Sequence, residues 1–248
     1  MLQEGLASVG RNWQLAIGNP TDCRLLPATY SSPMASCCDP SGYRQVFNSR
    51  EARRAARAYR RKGLDSTARP MVRALRERGL DGASVLEVGA GVGAAQVELL
   101  QAGAGRGFAY DLSPAHRQVG EELLEAHGLA DRVEWRTADF VADPAASPAD
   151  VVFLNRVVCC YPDMPGMVDA ASIRAGRLLA MSYPRDRWWV RFGIRALNGF
   201  MRVMRTTFRV FVHPTDEIYR RTTATGLTEI ASGRTLLWEW HVWERAPA

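Results

Sequence analysis

The stretch Val85-Leu-Glu-Val-Gly-Ala-Gly-Val-Gly93 decides the fold of this chain. Its first residues are mostly apolar, which is typical of a buried strand, and its glycines allow the backbone to turn sharply into a following helix. Such a turn brings backbone N–H groups close to a bound ligand. The glycines alone leave the ligand open, because Gly89-x-Gly91-x-x-Ala94 also fits a nicotinamide or flavin dinucleotide fingerprint.

Acidic residues at the ends of three successive predicted strands narrow the choice of ligand. Glu87 stands beside the turn, where a carboxylate would repel a pyrophosphate but attract an ammonium and a sulfonium group. Asp111 ends the next strand, in position to accept hydrogen bonds from ribose hydroxyls. Asp139 follows the third strand and suits an adenine amino group, with Phe140 beside the ring. Together these residues favour S-adenosylmethionine, which carries a cationic end and no phosphate.

Outward from this stretch, predicted strands and helices alternate. Short apolar strands separated by helices are typical of a parallel, doubly wound sheet, because parallel neighbours need helical crossovers. The last two strands have no helix between them, which predicts an antiparallel hairpin at the sheet edge. The predicted strands are Ser84–Val88, Gly107–Tyr110, Arg132–Thr137, Asp150–Leu154, Leu178–Ser182, 227–231 and 235–243, and the predicted helices are Tyr43–Lys62, Ser66–Arg78, Ala94–Gln101, Pro114–His127 and Pro165–Arg174.

The chain divides into three predicted parts. Residues 1–35 contain several prolines and no sustained apolar period, so we expect disorder there. Residues 36–80 form a helical cap, and residues 81–248 form the α/β domain with a lid insertion at about 184–212. Within 186–205, arginines recur at helical spacing beside aromatic and aliphatic residues, which fits a packed helix, a substrate lid or a membrane-surface helix. The position after a strand's carboxyl end favours the lid over the membrane-surface helix.

Composition and charge exclude several classes of protein. The 248 residues are 47% hydrophobic, which suits a buried core and excludes fibrous or wholly disordered chains. We find no apolar run of membrane-spanning length and no signal peptide, so we expect a cytoplasmic protein. The net charge is +6, and the excess of basic residues is concentrated in residues 44–78, which hold twelve Lys and Arg against three Asp and Glu. Because these charges lie almost all round a predicted helix, we expect solvated cap surface rather than a face that binds nucleic acid.

The stretch from about 83 to 183 resembles the class I S-adenosylmethionine-dependent methyltransferases. The segment Glu87–Gly93 is similar to the family's first motif, Asp111 to its second and Asp139 to its third. The resemblance implies a Rossmann-like sheet of seven mostly parallel strands with the last strand antiparallel. More narrowly, the helical cap and Asn155–Pro162 are similar to magnesium-protoporphyrin O-methyltransferases. The cofactor-binding residues that we expect are Glu87, Gly89, Ala90, Gly91, Gly93, Asp111, Leu112, Asp139, Phe140, Asn155 and Arg156.

Several residues are candidates for contact with the methyl acceptor. DNA amine methyltransferases resemble one another in an Asn/Asp-Pro-Pro-Tyr/Phe tetrapeptide after the fourth strand, where this chain has Asn155-Arg-Val-Val, so DNA bases are disfavoured. His213 is a candidate base, because its pKa lies near working pH, or a loop histidine bonded to the next helix. Tyr161 and Tyr43 are candidate hydrogen-bond donors to the acceptor.

Two pairs of adjacent cysteines have two interpretations. We expect reduced thiols, and buried free cysteines commonly pack as small apolar groups. Alternatively, Cys37 and Cys38 on the cap converge with Cys159 and Cys160 over the pocket, where soft thiolates would suit a thiol or soft-metal acceptor.

The sequence therefore predicts methyl transfer to an oxygen or sulfur nucleophile of a small molecule. In such an in-line displacement, much of the catalysis comes from holding both reactants aligned in a dry site. Two alternatives stay open: an RNA-modifying enzyme that binds phosphates with residues 44–78, and a non-catalytic S-adenosylmethionine-binding protein. The RNA alternative predicts a steep dependence of binding on salt. The sequence leaves the oligomeric state open.

Overall fold

The computed structural model describes residues 40–246 of the chain. A seven-stranded sheet forms its centre, with the strand order β3-β2-β1-β4-β5-β7-β6. Strands β1 to β5 are parallel, whereas β7 runs antiparallel to both β5 and β6, which confirms the predicted sheet and its edge hairpin. The strands are β1 Ser84–Val88, β2 Arg106–Tyr110, β3 Val133–Arg136, β4 Ala149–Asn155, β5 Ala175–Pro184, β6 Leu227–Arg234 and β7 Trp238–Arg245.

Helices cover both faces of the sheet. Strand side chains alternate between the two faces, so Val85 and Phe153 join one buried core while Leu86 and Val152 join the other. Helices α2 to α5 supply the first core, and α6 and α8 supply the second. The helices are α1 Pro40–Val46, α2 Ser49–Lys62, α3 Ala68–Glu77, α4 Ala94–Gln101, α5 Pro114–Glu125, α6 Met164–Arg174, α7 Trp188–Val203 and α8 Thr215–Ala224.

The charged helix predicted over Tyr43–Lys62 is two helices, which corrects the prediction. Asn48 lies between them and caps α2, because its side-chain oxygen accepts hydrogen bonds from the backbone N–H groups of Arg50 and Glu51. The two cap helices α2 and α3 bury apolar side chains in the first core: Ala52, Ala56, Met71, Val72 and Leu75.

Helix α7 departs from the pattern of the other helices. Val190 is its one buried residue, and several of its aromatic and aliphatic side chains are exposed. Residues 184–212, predicted as a lid insertion, contain this helix and the irregular segment that follows it. Over residues 40–246, no helix is long and apolar enough to cross a membrane.

Candidate active site

A cleft with about 400 Å³ of empty space, including the solvent at its open mouth, lies at the carboxyl ends of the parallel strands. It sits where β1 has β2 on one side and β4 on the other, which is the crevice where open α/β sheets bind ligands. The residues that line it are Tyr43, Val88, Gly89, Tyr110, Asp111, Leu112, Ala138, Asp139, Phe140, Val157, Cys160, Tyr161 and Met167. Seven of the predicted cofactor-binding residues and catalytic candidates line this cavity: Tyr43, Gly89, Asp111, Leu112, Asp139, Phe140 and Tyr161.

The glycine turn forms one wall of this cleft. Gly89 has φ +63°, and a Cβ there would lie 2.5 Å from a methyl group of Val157, so a side chain would collide with the segment after β4. Gly91 has φ +56° with open space where a side chain would be, and its backbone N–H donates to Asp111. Gly91, the buried Ala90 and Gly93, which precedes α4, complete the predicted turn but do not line the cleft.

Glu87 is buried in β1, two residues before Gly89, and is only 4% exposed. Its Oε2 atom has no hydrogen-bond partner among the described residues. Burial raises its pKa well above the usual range; a backbone hydrogen bond from Gln96 opposes this rise, and the negative charge of Asp111 adds to it. A buried carboxylate of this kind fits a ligand that brings a positive charge to the turn.

Asp111, after β2, holds the glycine turn and the cap together. Its Oδ2 accepts a hydrogen bond from the backbone N–H of Gly91 at 2.8 Å, and its Oδ1 accepts one from the backbone N–H of Ser113 at 2.8 Å. The hydroxyl of Tyr43, from α1, donates to the same Oδ1 at 3.4 Å. The carboxylate is thereby fixed at the wall of the cleft.

His116 is a residue of this site that the sequence analysis missed. Its ring lies between two carboxylates, with Nδ1 3.2 Å from Asp111 Oδ2 and Nε2 2.6 Å from Glu51 Oε2 on α2. Burial disfavours the charged ring, but the hydrogen bonds to Asp111 and Glu51 outweigh it and raise the pKa of His116 to about 9. The charged histidine thus fastens the cap to the cofactor side of the cleft. The one feature of the sequence that could have identified His116 is its position in the first turn of the helix after Asp111.

Asp139 and Tyr161 form a second polar contact in the cleft. The tyrosine hydroxyl donates to Asp139 Oδ2 at 3.1 Å, and Asp139 Oδ1 accepts from the backbone N–H of Val141. Phe140 is buried beside them in a T-shaped contact with the Tyr110 ring, at a centroid distance of 5.6 Å. This corner offers a carboxylate and an apolar ring, which suits an adenine with an amino group.

Asn155 and Arg156, predicted to contact the cofactor, lie outside the cleft lining. The Asn155 Oδ1 atom accepts hydrogen bonds from the hydroxyls of Thr67 and Ser182, both at 2.7 Å. Asn155 Nδ2 donates to Asp65 Oδ2, and the Arg156 guanidinium lies 3.2 Å from Asp65 Oδ1. These contacts tie the loop before α3 to the ends of β4 and β5, a structural role that the sequence analysis did not foresee.

Arg156 also has an unusual conformation. Its φ of +59° is in the left-handed region, which costs free energy in a residue with a side chain. The guanidinium lies 4.7 Å from the centre of the Trp238 ring on β7, a cation–π contact. The cofactor contacts expected of Asn155 and Arg156 stay predictions.

His213 fixes the turn that carries two cleft residues but is outside the lining itself. Its Nε2 lies 3.1 Å from the backbone oxygens of both Val158 and Tyr161, so it donates a hydrogen bond there. Burial lowers its pKa, and the hydrogen bonds to these carbonyls oppose that shift. The ring therefore bonds to the segment after β4. It does not cap the next helix, α8, which follows Pro214 and has no side-chain cap. The role of His213 as a base stays a prediction.

The adjacent cysteines differ in their access to the cleft. Cys160 lines it, Cys159 is buried, and their sulfur atoms are 3.6 Å apart. The hydrogen bond with Cys159 and burial raise the pKa of the Cys160 thiol, which disfavours a thiolate. Cys37 and Cys38 lie outside the described residues, so the predicted convergence stays a prediction. Residues 40–246 contain no group of three or more His, Cys, Asp and Glu side chains placed to hold a metal ion.

The lining as a whole has a clear electrostatic character. It contains the carboxylates of Asp111 and Asp139, and the described residues that line it include no Lys, Arg or His. Such a cleft favours a neutral or cationic ligand and disfavours a pyrophosphate. The residues present therefore fit S-adenosylmethionine better than a nicotinamide or flavin dinucleotide.

Comparisons with known proteins agree with this geometry. Residues 85–174 match a family model described as a methyltransferase domain. No curated protein matches the chain significantly by sequence. Magnesium protoporphyrin IX methyltransferase from Synechocystis PCC 6803, solved with bound SAH, is similar in fold, with a TM-score of 0.65 and 20% identity over 84% of this chain and 100% of that one.

Two further solved structures share the fold. An O-methyltransferase family protein from Burkholderia thailandensis has a TM-score of 0.61 and 20% identity over 82% of this chain and 61% of that one. The N-methyltransferase NodS from Bradyrhizobium japonicum WM9, in complex with SAH, has a TM-score of 0.54 and 15% identity over 73% of this chain and 86% of that one. Residues 85–174 thus match a methyltransferase domain, and the described part of the chain shares its fold with methyltransferases that were solved with SAM or SAH.

Proposed function

We propose that this protein binds S-adenosylmethionine in the cleft and transfers its methyl group to an oxygen or sulfur nucleophile of a small molecule. The observation that carries the proposal is the pair of carboxylates, Asp111 and Asp139, in a cleft whose described lining has no basic side chain. The buried carboxyl group of Glu87 beside the turn adds a third acidic group. The solved structures of similar fold that contain SAM or SAH support the same cofactor.

Each part of the cleft has a task in this proposal. When bound, the cofactor supplies a methyl group on a positively charged sulfur, which needs only an aligned nucleophile. Asp111 accepts hydrogen bonds from the ribose, and Asp139 accepts one from the adenine amino group beside Phe140. Glu87 stabilises the positive end at the turn. Tyr43 and the segment that carries Cys160 and Tyr161 exclude water and flank the acceptor.

The lining also restricts the acceptor. A neutral alcohol would need a general base, but the described lining holds no histidine or lysine, and the pKa of the Cys160 thiol is raised. A carboxylate, an acidic phenol or a thiol with a low pKa already carries the charge that the displacement needs. We therefore propose an acceptor that is ionised at neutral pH and is methylated on that atom; the positive charge of the bound cofactor would offset the acidic lining next to it.

A calorimetric titration of the full chain with SAM, SAH and NAD tests the cofactor. We expect micromolar binding of SAM and SAH, no signal with NAD, and loss of binding in Asp111→Ala. Asp131→Ala, which changes an exposed carboxylate outside the cleft, is the matched control and should bind as the unchanged protein does. Binding of NAD, or no binding of SAM by folded protein, would contradict the proposal.

The acceptor is then found by measuring SAH release with panels of carboxylic acids, phenols and thiols. We expect turnover only with compounds that are ionised at the assay pH, and a rate that rises through the pKa of the acceptor. Turnover of neutral alcohols at the same rate would show that a base is present. Binding of SAM without turnover of any panel would favour the non-catalytic alternative.

One observation favours a second candidate, an RNA-modifying methyltransferase. The outward face of α2 exposes a row of basic side chains that have no ion pair within the part of the chain that the structure describes: Arg50, Arg53, Arg54, Arg57, Arg60, Arg61 and Lys62. If this row binds phosphates, affinity for tRNA should fall steeply between low and moderate salt, and Arg54→Gln/Arg57→Gln should reduce the slope by about two. We expect weak tRNA binding and no methylation of tRNA.

A further inference from the structure

Helix α7 exposes most of its large apolar side chains to solvent. Trp188 is 79% exposed, Phe192 67%, Phe200 63% and Val203 78%, while Val190 is the one residue of the helix that is buried. Six of the ten exposed large hydrophobic side chains among the described residues lie within 188–204. Contiguous exposed apolar surface of this kind marks a site of interaction.

The exposed residues of α7 share one side of the helix. Trp188, Phe192, Ala196, Gly199 and Val203 recur at intervals of three or four residues, and all five are exposed. Phe200, Leu197 and Met204 widen this stripe on its flank. No acidic or basic residue interrupts the stripe, which we call the apolar face of α7.

Positive charge borders the apolar face. Arg187, Arg195, Arg202 and Arg205 are exposed, and the sequence from Arg187 to Thr215 contains no Asp or Glu. Of the arginines within α7, Arg191 is neutralised, with Nη2 2.8 Å from Asp186 Oδ2. The helix therefore combines an aromatic face with a positive border, which is the pattern of helices that lie in the surface of an anionic bilayer.

We propose that α7 docks this protein on an anionic lipid membrane, with the helix in the plane of the surface. Its 16 residues extend over about 24 Å, which is shorter than the hydrocarbon thickness of about 30 Å, so the helix lies on the bilayer rather than across it. A second copy of the chain is the less suitable occupant, because a symmetric contact would place two rows of arginines against each other with no carboxylate between them.

The segment after α7 connects this surface to the mouth of the cleft. The ring of Phe208 lies 5.4 Å from that of Phe47 and 6.2 Å from that of the cleft residue Tyr43. The backbone N–H of Phe211 donates to the carbonyl of Cys159 at 2.7 Å. A docked α7 would thus hold the cleft near the lipid surface, where an apolar acid could reach it; this last step rests on the proposed function.

Cosedimentation of the full chain with lipid vesicles tests the docking. We expect binding to vesicles in which about a third of the lipid is phosphatidylglycerol, and at least about tenfold weaker binding to phosphatidylcholine alone. Phe192→Ser/Phe200→Ser should reduce binding at least about tenfold. Arg195→Gln/Arg202→Gln should reduce binding to the anionic vesicles about fivefold for each charge removed and should not change binding to phosphatidylcholine vesicles. Ile173→Ser, which removes a side chain 68% exposed on α6, is the matched control and should bind unchanged.

Four results would overturn the proposal. In the first two, the protein stays in the supernatant, or the two phenylalanine substitutions leave vesicle binding intact. In the third, sedimentation velocity shows a dimer that Phe192→Ser/Phe200→Ser dissociates, which would make a second copy the occupant. In the fourth, vesicle binding occurs only after removal of residues 1–39, which would make that segment the occupant of the apolar face. Calorimetry with SAH on the same samples separates a failure of docking from a failure of the proposed function, because the described lining of the cleft includes no residue of α7.

Discussion

The two sides of the cleft edge are built in different ways. At the ends of β1 to β3, Glu87 and Asp111 are buried and Asp139 is half-buried. Asp111 is held by hydrogen bonds from the glycine turn, the cap and α5, and Asp139 by hydrogen bonds from Tyr161 and Val141. After β5, α7 leaves aromatic side chains in solvent with arginines beside them. Internal contacts organise the first side before a ligand arrives. The second side has an apolar surface that no other described residue covers. Substitutions on the two sides should therefore differ in kind: the first should change stability and cofactor affinity, the second should change neither.

The largest effect is expected for Asp111→Ala. Removal of this carboxylate leaves His116 charged and buried with only Glu51 as its partner, and frees the backbone N–H of Gly91. We expect a loss of about 3–5 kcal/mol in the free energy of unfolding, together with the loss of SAH binding. Urea denaturation of the variant beside Asp131→Ala measures the first, and a destabilisation below about 1 kcal/mol would show that the acidic side is not held by this network.

His116→Gln should give a smaller, pH-dependent effect. The folded pKa of about 9 lies above the ordinary 6.5, so the stabilisation is fully present below about pH 6.5 and is lost as the pH rises through 9. We expect the variant to be less stable by up to about 3 kcal/mol at pH 6 and by little at pH 9.5. Unfolding curves at several pH values measure the difference; a constant difference would mean that the histidine acts by packing alone.

Glu87→Gln should change cofactor binding more than stability. Because burial raises the pKa of this carboxyl group, the free protein tends to hold a proton there, and a bound cation favours its release. We expect proton release on binding, an affinity that rises with pH, and about tenfold weaker binding without proton release in the variant. Titrations in two buffers with different heats of ionisation detect the proton, and equal proton release by both proteins would assign it to another group.

The smallest effect is expected on the other side of the edge. Phe200→Ser should change the free energy of unfolding by less than about 0.5 kcal/mol, because the ring is exposed and packs little against the fold. Phe153→Ala, in the centre of β4, should cost about 3–5 kcal/mol and serves as the comparison. A large loss for Phe200→Ser in urea denaturation would mean that α7 is covered by its own chain.

The parts of the fold predicted most closely are those set by local chemistry. The structure reproduces the predicted bounds of Ser84–Val88 and Ala94–Gln101, because an apolar run ends at glycines that only a turn accommodates. The break between α1 and α2 was missed because a dense run of arginines obscures the apolar period, while the cap that decides it is a single Asn48 side chain. β5 is longer than its apolar pattern indicated, because it pairs with strands on both sides.

By itself, the sequence determined the alternation of strands and helices, the glycine turn and the acids at successive strand ends, since each depends on neighbouring residues. Only the tertiary structure decided that His116 joins Asp111 to Glu51, that Asn155 and Arg156 fasten the loop before α3, and that the aromatic side chains of α7 remain exposed. These outcomes depend on contacts between residues that are dozens of positions apart or on the space left after packing. Side-chain burial and the pKa shifts that follow from it are properties of that packed arrangement, so no local pattern could specify them.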